Sequence, residues 1–248
     1  MNWLGTMRAE IRKLTSTKMP FAFLIVLVVI GAATAIAVAF GTDMDGSKTF
    51  VSTAADQQSL MAFASNALVI SGLFGAIAVA REYGHGTVVL TFLTTPRRSR
   101  AVLAQYAAVC VAGSALGLVG AGVSAGSVAA GLNATDYGFM VSAADLAQVL
   151  AAATLAGGAG AVLGAGIGAF IRNTGGAVTG TILMLVILPP LAVQMAGETA
   201  SWVPGTVATV ASGVSDATGI GAAIAAIVMW ALVPAAIGLV AATRRDVV

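Results

Sequence analysis

The chain has 248 residues, 58% of them hydrophobic and only 9% charged, with a mean hydropathy of +0.97 and a formal net charge of +2. A soluble domain carries about 25% charged residues, so this chain cannot coat a water-facing globule and reads as an integral membrane protein. Its apolar stretches are continuous and far longer than the ~10 residues of a barrel strand, which excludes a spanning β-barrel.

In chain order, Leu4, Met7, Ile11 and Leu14 recur at helical spacing, with Arg8, Arg12 and Lys13 on the other faces. This pattern predicts an amphipathic elbow helix in residues 1–19, apolar side toward lipid and basic side toward its phosphates. A plain basic flank is the simpler alternative. Six apolar runs follow, at 20–40, 60–80, 101–130, 146–171, 176–196 and 219–241. Each reaches the ~20 residues a span needs, and in hydrocarbon every backbone group must pair internally, so the runs are expected to be helices. Ala37-Val38-Ala39 resembles a signal cleavage site, but the first run exceeds the ~7–15 residues of a signal core and is expected to remain a span. The single cysteine, Cys110, lies inside the third run, so no disulfide can form within the chain.

The charges set the topology. Lys48 is alone among the basic residues of the segments that follow the first, third and fifth runs. The other eleven lie before the first run, after the second, fourth and sixth, or in loop 81–100. Positive charge stays cytoplasmic, so the expected fold is an all-α integral membrane protein with six transmembrane helices and both termini cytoplasmic. A six-helix domain over 20–241 and a tail over 242–248 complete it, in a multi-pass chain of the cell membrane, expected to be a bacterial plasma membrane.

The runs lack Asp, Glu, Lys, Arg and His near their middles, the groups that mark ion sites and proton relays. Asn66 and Gln194 are the polar residues that remain as candidates for a substrate path. An interhelical hydrogen bond is the plainer reading of Asn66. Glycines four apart, at 113/117, 122/126, 160/164, 164/168 and 176/180, predict close helix packing. Pro189-Pro190 is expected to break or kink the fifth span, and Pro234 to bend the sixth more gently. The outer segment 197–218, with Trp202 and Pro204, holds an apolar stretch too short to cross and predicts an interfacial or re-entrant helix.

Loop 81–100 gathers four basic residues and the chain's one histidine. Gly84 and Gly86 permit a sharp turn, Thr87 is placed to cap a helix, and Val88 to Leu93 forms a short apolar helix stopped by Pro96. An apolar element this short needs a cover: the chain itself, the membrane surface or a soluble partner.

The order Glu82-Tyr83, Gly86-Thr87, Leu93, Thr95-Pro96 and Arg100 resembles the cytoplasmic loop of type-2 ATP-binding-cassette transporter permeases. The layout of six spans after a basic start is similar over the full length, although the motif covers only about twenty residues. Gln105 departs from the family, in which many relatives carry lysine there. The resemblance implies a permease subunit of an ATP-driven exporter, and the small apolar residues of the runs suggest a hydrophobic or amphipathic substrate, such as a drug or lipid-like molecule. Its loop would hold a coupling helix seated on a separate ATPase, with Glu82, Tyr83, Gly84, His85, Gly86, Thr87, Val88, Leu90, Phe92, Leu93 and Pro96 as the coupling residues. His85 would face the docking surface; a solvated loop residue is its plainer reading, as topology and lipid contact are for Arg97, Arg98 and Arg100. The implied partners are two copies of the ATPase subunit, a second permease chain (identical or homologous) and membrane lipid, with no nucleic acid. ATP and Mg would bind the ATPase. No GxxxxGK[ST] phosphate loop is present, so the chain is not expected to be an enzyme or to hold a cofactor itself. The alternatives are an ATP-independent channel or carrier, or a membrane scaffold.

Overall fold

A computed structural model describes residues 3–44, 46–94 and 97–245. Among these it contains helices and connecting turns and no strand. In order, the helices are α1 (Trp3–Thr15), α2 (Met19–Phe40), α3 (Ala54–Ser65), α4 (Ala67–Gly84), α5 (Thr87–Thr94), α6 (Arg98–Leu132), α7 (Ala143–Ile171), α8 (Thr174–Ile182), α9 (Leu188–Ala196), α10 (Pro204–Ala211) and α11 (Ile220–Arg244). Six helical stretches are long and apolar enough to cross a membrane: α2, α3 with α4, α6, α7, α8 with α9, and α11. The chain is therefore a multi-pass transmembrane protein by length and composition.

The helix ends follow local chemistry. Thr53 and Asp56 form a reciprocal capping box at the start of α3, and Ser142 accepts from the Asp145 amide at the start of α7. Pro20 sits in the first turn of α2, where a missing amide costs nothing. At the end of α2, Lys48 Nζ donates to the Ala39 carbonyl at 2.6 Å.

Three boundaries differ from the sequence expectation. The second span starts at Ala54 and is split at Asn66, which adopts a left-handed conformation (φ 37°, ψ 36°) between α3 and α4. Loop 81–100 is largely helical, because α4 runs on to Gly84 and α6 begins at Arg98. The 35 residues of α6 extend about 52 Å, well beyond the ~30 Å of hydrocarbon. The third point concerns Pro189-Pro190: of the break or kink expected there, a break does not occur. With two amide donors gone and the rings crowding the turn before them, the chain widens into a π-helical turn over Leu183–Ile187. The Leu188 amide then bonds the Leu183 carbonyl, and the helix continues as α9. Pro234 lies inside an unbroken α11.

The core is built around α7, which packs on α4, α6 and α11. A side chain added at Gly164 would collide with the Gly72 carbonyl, at Gly160 with the Leu68 carbonyl, and at Gly75 with the Ala161 carbonyl. Gly113, Gly117 and Gly157 close the α6–α7 seam in the same way, and Gly166 meets the Pro234 backbone of α11. Backbone lies on backbone at these seams. Gly122 and Gly126, by contrast, face open space. The first and fifth spans bury only 17% and 22% of their apolar windows within the chain, against 65% for the second.

α1 and the end of α11 lie at the same end of the bundle, with loop 81–100 and the turn after α7. The eleven basic residues other than Lys48 gather there. The opposite end is knitted by fully buried Gln57, whose Nε2 donates to the Val51 and Gly138 carbonyls and whose Oε1 accepts from the Met140 amide.

The packing yields a test. Gly164→Ala is expected to destabilise the chain by about 1–3 kcal/mol through overpacking, whereas Gly122→Ala changes little. Thermal unfolding of both variants in detergent checks this.

Candidate functional site

The root of loop 81–100 is held from two sides. The Glu82 carboxylate meets Lys13 Nζ of α1 at 2.9 Å. Lys13 also reaches Glu10 at 2.8 Å and Thr91 Oγ1 of α5 at 3.5 Å, so one ammonium joins α1, α4 and α5. Tyr83, the next residue, turns toward the opposite neighbours. Its ring lies 5.2 Å beneath the Arg172 guanidinium, and Arg172 Nη2 donates to the Ala241 carbonyl of α11 at 3.0 Å. Arg172 itself adopts a left-handed conformation (φ 60°) just past α7.

Glu10 is buried, with 5% exposure. Burial raises its carboxyl above the usual range, against the pull of Lys13. For Lys13, burial works to lower the ammonium, but Glu82 and Glu10 together outweigh it and hold it above its usual value. Both folded values are raised. The Lys13 contribution is therefore complete below the ordinary lysine range and lost as pH rises through the folded value. By the same sign, the Glu10 contribution is complete only below the ordinary carboxylate range, so its ionisation near pH 7 opposes folding and Lys13 offsets that cost.

The turn into α5 uses Gly86 at φ +68°, the left-handed region that favours glycine, while Gly84 remains helical. The Thr87 hydroxyl donates to the Glu82 carbonyl at 3.3 Å and so serves the end of α4. His85 is exposed, with Nδ1 2.9 Å from the Arg81 carbonyl.

Positions four apart divide α5 into two faces. Val88 is buried at 2% exposure, and Phe92 packs on the cluster of Val79, Val102, Tyr106 and Val109. Val89 and Leu93 face outward, Leu93 at 76% exposure, and Arg81, Arg97 and Arg100 of the same loop are exposed as well. Val88 and Phe92 thus anchor the helix, and the outward apolar pair is Val89 and Leu93. Leu90 lies in α5 with its side chain outside the described set, and Pro96 lies outside the described residues.

A second feature lies deeper. A cavity of about 300 Å³ opens beside the break at Asn66, walled by α3 and α4, α7, Leu185 of the π turn, and α10. Asn66 lines it. Gln194 is exposed on α9 and is not part of its lining.

Sequence reasoning missed Lys13, Glu10, Arg172 and Val89. The Glu10–Lys13 spacing of three was a visible pairing signal, and Arg172 stood out as the lone cation of a short turn. Nothing in sequence separated Val89 from Val88, because that depends on which face of α5 the bundle covers.

No protein-family model matches the chain, and no curated protein matches it.

Lys13→Met strands buried Glu10 beside Glu82. Its expected cost is about 2 kcal/mol, below the ~3–5 kcal/mol of a fully buried pair because the Lys13 side chain is 40% exposed. Glu10→Gln added to Lys13→Met should recover part of that loss, and Glu10→Gln alone should cost little. Chemical unfolding of the three variants in detergent at pH 7 measures this.

Proposed function

We propose that this chain is the membrane subunit of an ATP-driven exporter of the type-2 ATP-binding-cassette class. It pairs with a second permease chain and receives force from a separate ATPase through α5. The observation that carries this reading is the construction of α5. It leaves Val89 and Leu93 uncovered by the chain while its root is braced on one side to α1 and on the other to the α7–α8 turn and α11. A docked partner pushing on this helix would move several spans together. A short helix that served only as a connection would have no use for an exposed Leu93.

In this reading the basic end faces the cytoplasm, and α1 rests at the membrane interface. The ATPase is present in two copies and carries ATP and Mg. The weakly buried first and fifth spans supply surface for lipid and for the second permease chain. The cargo is small and hydrophobic or amphipathic.

Leu93→Asp is expected to leave folding intact, because the residue is exposed, and to abolish copurification of an ATPase with the chain. Lys48→Ala, at the opposite end, should leave the complex unchanged. Retention of the ATPase by the Leu93→Asp chain would show that force does not enter at α5. Transport by the chain alone in liposomes without ATP would overturn the reading as a whole.

A further inference from the structure

Two backbone irregularities, in different spans, meet at one cavity. The second span is interrupted at Asn66, and the fifth is widened over Leu183–Ile187. Leu185 of the widened turn and residues 65–69 around the break line the same space of about 300 Å³. The break lies level with the middle of the first span. A side chain added at Gly120 would lie 3.1 Å from Leu27 and 3.3 Å from the Ser65 carbonyl, and Leu27 is near the centre of α2.

Mid-span, an interrupted backbone is tolerated only where protein or a polar cavity covers it. The first-turn amides of α4 have no partner within that helix. The Asn66 side chain is exposed and caps nothing. The neighbouring hydroxyls spend their protons locally: Ser65 on the Ala62 carbonyl, Thr209 on Thr206 and Ser212 on Ala208. The cavity therefore offers the Asn66 carboxamide and lies beside the first turn of α4, while the rest of its wall is mainly alanine and apolar side chains. Among the described residues, no charged side chain lines it.

We infer that this cavity is a ligand site contained within one chain, and that it takes a small uncharged molecule with an apolar body and one hydrogen-bond-accepting head. The head meets the Asn66 carboxamide beside the first turn of α4, and the body lies along Ala152, Ala156 and Ala208. A permanent cation or carboxylate would enter without a counter-charge, at a cost of several kcal/mol. α10 is the outer wall. Side chains hold it at both ends: Gln58 Nε2 donates to the Ser212 carbonyl at 2.8 Å, Gln148 Nε2 to Ala211 at 3.4 Å, and Trp230 Nε1 to Trp202 at 2.8 Å. The inference rests on the export reading only for the ligand's being cargo; its binding is a property of the chain alone.

The experiment uses the full chain in lipid nanodiscs, without ATPase. The probe is an uncharged benzyl alcohol bearing a photoreactive trifluoromethyl-diazirine, with its quaternary-ammonium and carboxylate analogues as comparisons. Cross-links of the alcohol are expected in residues 62–69, 152–156 and 205–212, saturating and displaced by excess benzyl alcohol. Each charged analogue should label these residues at least about ten-fold less. Ala208→Trp fills the space and should cut the labelling about ten-fold. Asn66→Gly keeps the left-handed backbone, removes the carboxamide and should cut it about five-fold. Gly122→Trp, on an open face, should leave it unchanged. If Ala208→Trp fails to fold, Asn66→Gly decides. Labelling that does not saturate, that spreads equally over exposed Ile25 and Val29, or that persists in the folded variants would overturn the inference. Such a failure leaves ATPase docking at α5 untouched, and loss of that docking leaves the labelling untouched.

Discussion

The bundle depends on the close approach of α7 to three other helices. In lipid there is no hydrophobic drive between spans, so helices associate through contact area and through the backbone approach that small residues permit. Gly164 against Gly72, Gly157 against Gly113 and Gly166 against Pro234 provide that approach on three sides of one helix. These seams also fix the relative heights of the spans. Because α4, α7 and α11 are locked at the same level, the end of α4, the turn after α7 and the end of α11 arrive together, where Arg172 can reach both Tyr83 and Ala241.

That common level gives the adjacent residues Glu82 and Tyr83 their significance. On the last turn of α4 they point about 100° apart. One meets the N-terminal helix through Lys13, and the other meets the α7–α8 turn through Arg172. The short helix beyond them is therefore attached to both sides of the bundle at its root, and Val88 and Phe92 attach it again from below. A helix held in this way moves with the spans around it.

Much of this fold was legible in the sequence because hydrocarbon imposes strict rules. Continuous apolar runs gave six spans, and charge asymmetry placed the basic residues at one end. The glycine pairs at 113/117 and 160/164 anticipated real seams, while the equally spaced pair at 122/126 faces open space. Spacing shows that a face is small and leaves open what lies against it. The break or kink expected at Pro189-Pro190 illustrates a different limit. Proline chemistry requires an accommodation in the ladder, and either a break or a wider turn meets that requirement. The true interruption, at Asn66, lacks the usual signature of glycine or proline. Asparagine tolerates the left-handed region, but an asparagine within an apolar run reads equally well as an interhelical bond. The candidate residues of loop 81–100 came from a motif. Their partners Lys13 and Arg172 lie far off in sequence and came within view only with the packing.

The wide turn in the fifth span also resets its phase. A π-helical turn accommodates one more residue than an α-turn, which rotates everything beyond Leu188 by about 100° relative to a straight continuation. A helical wheel drawn through the whole span would assign its last third to the wrong azimuth. The same offset makes residues 183–187 a natural place for the chain to lose a residue. Deleting one there would restore a regular ladder and leave Val193 and Met195 on the bearing they already have, because the wide turn is what absorbs the extra residue.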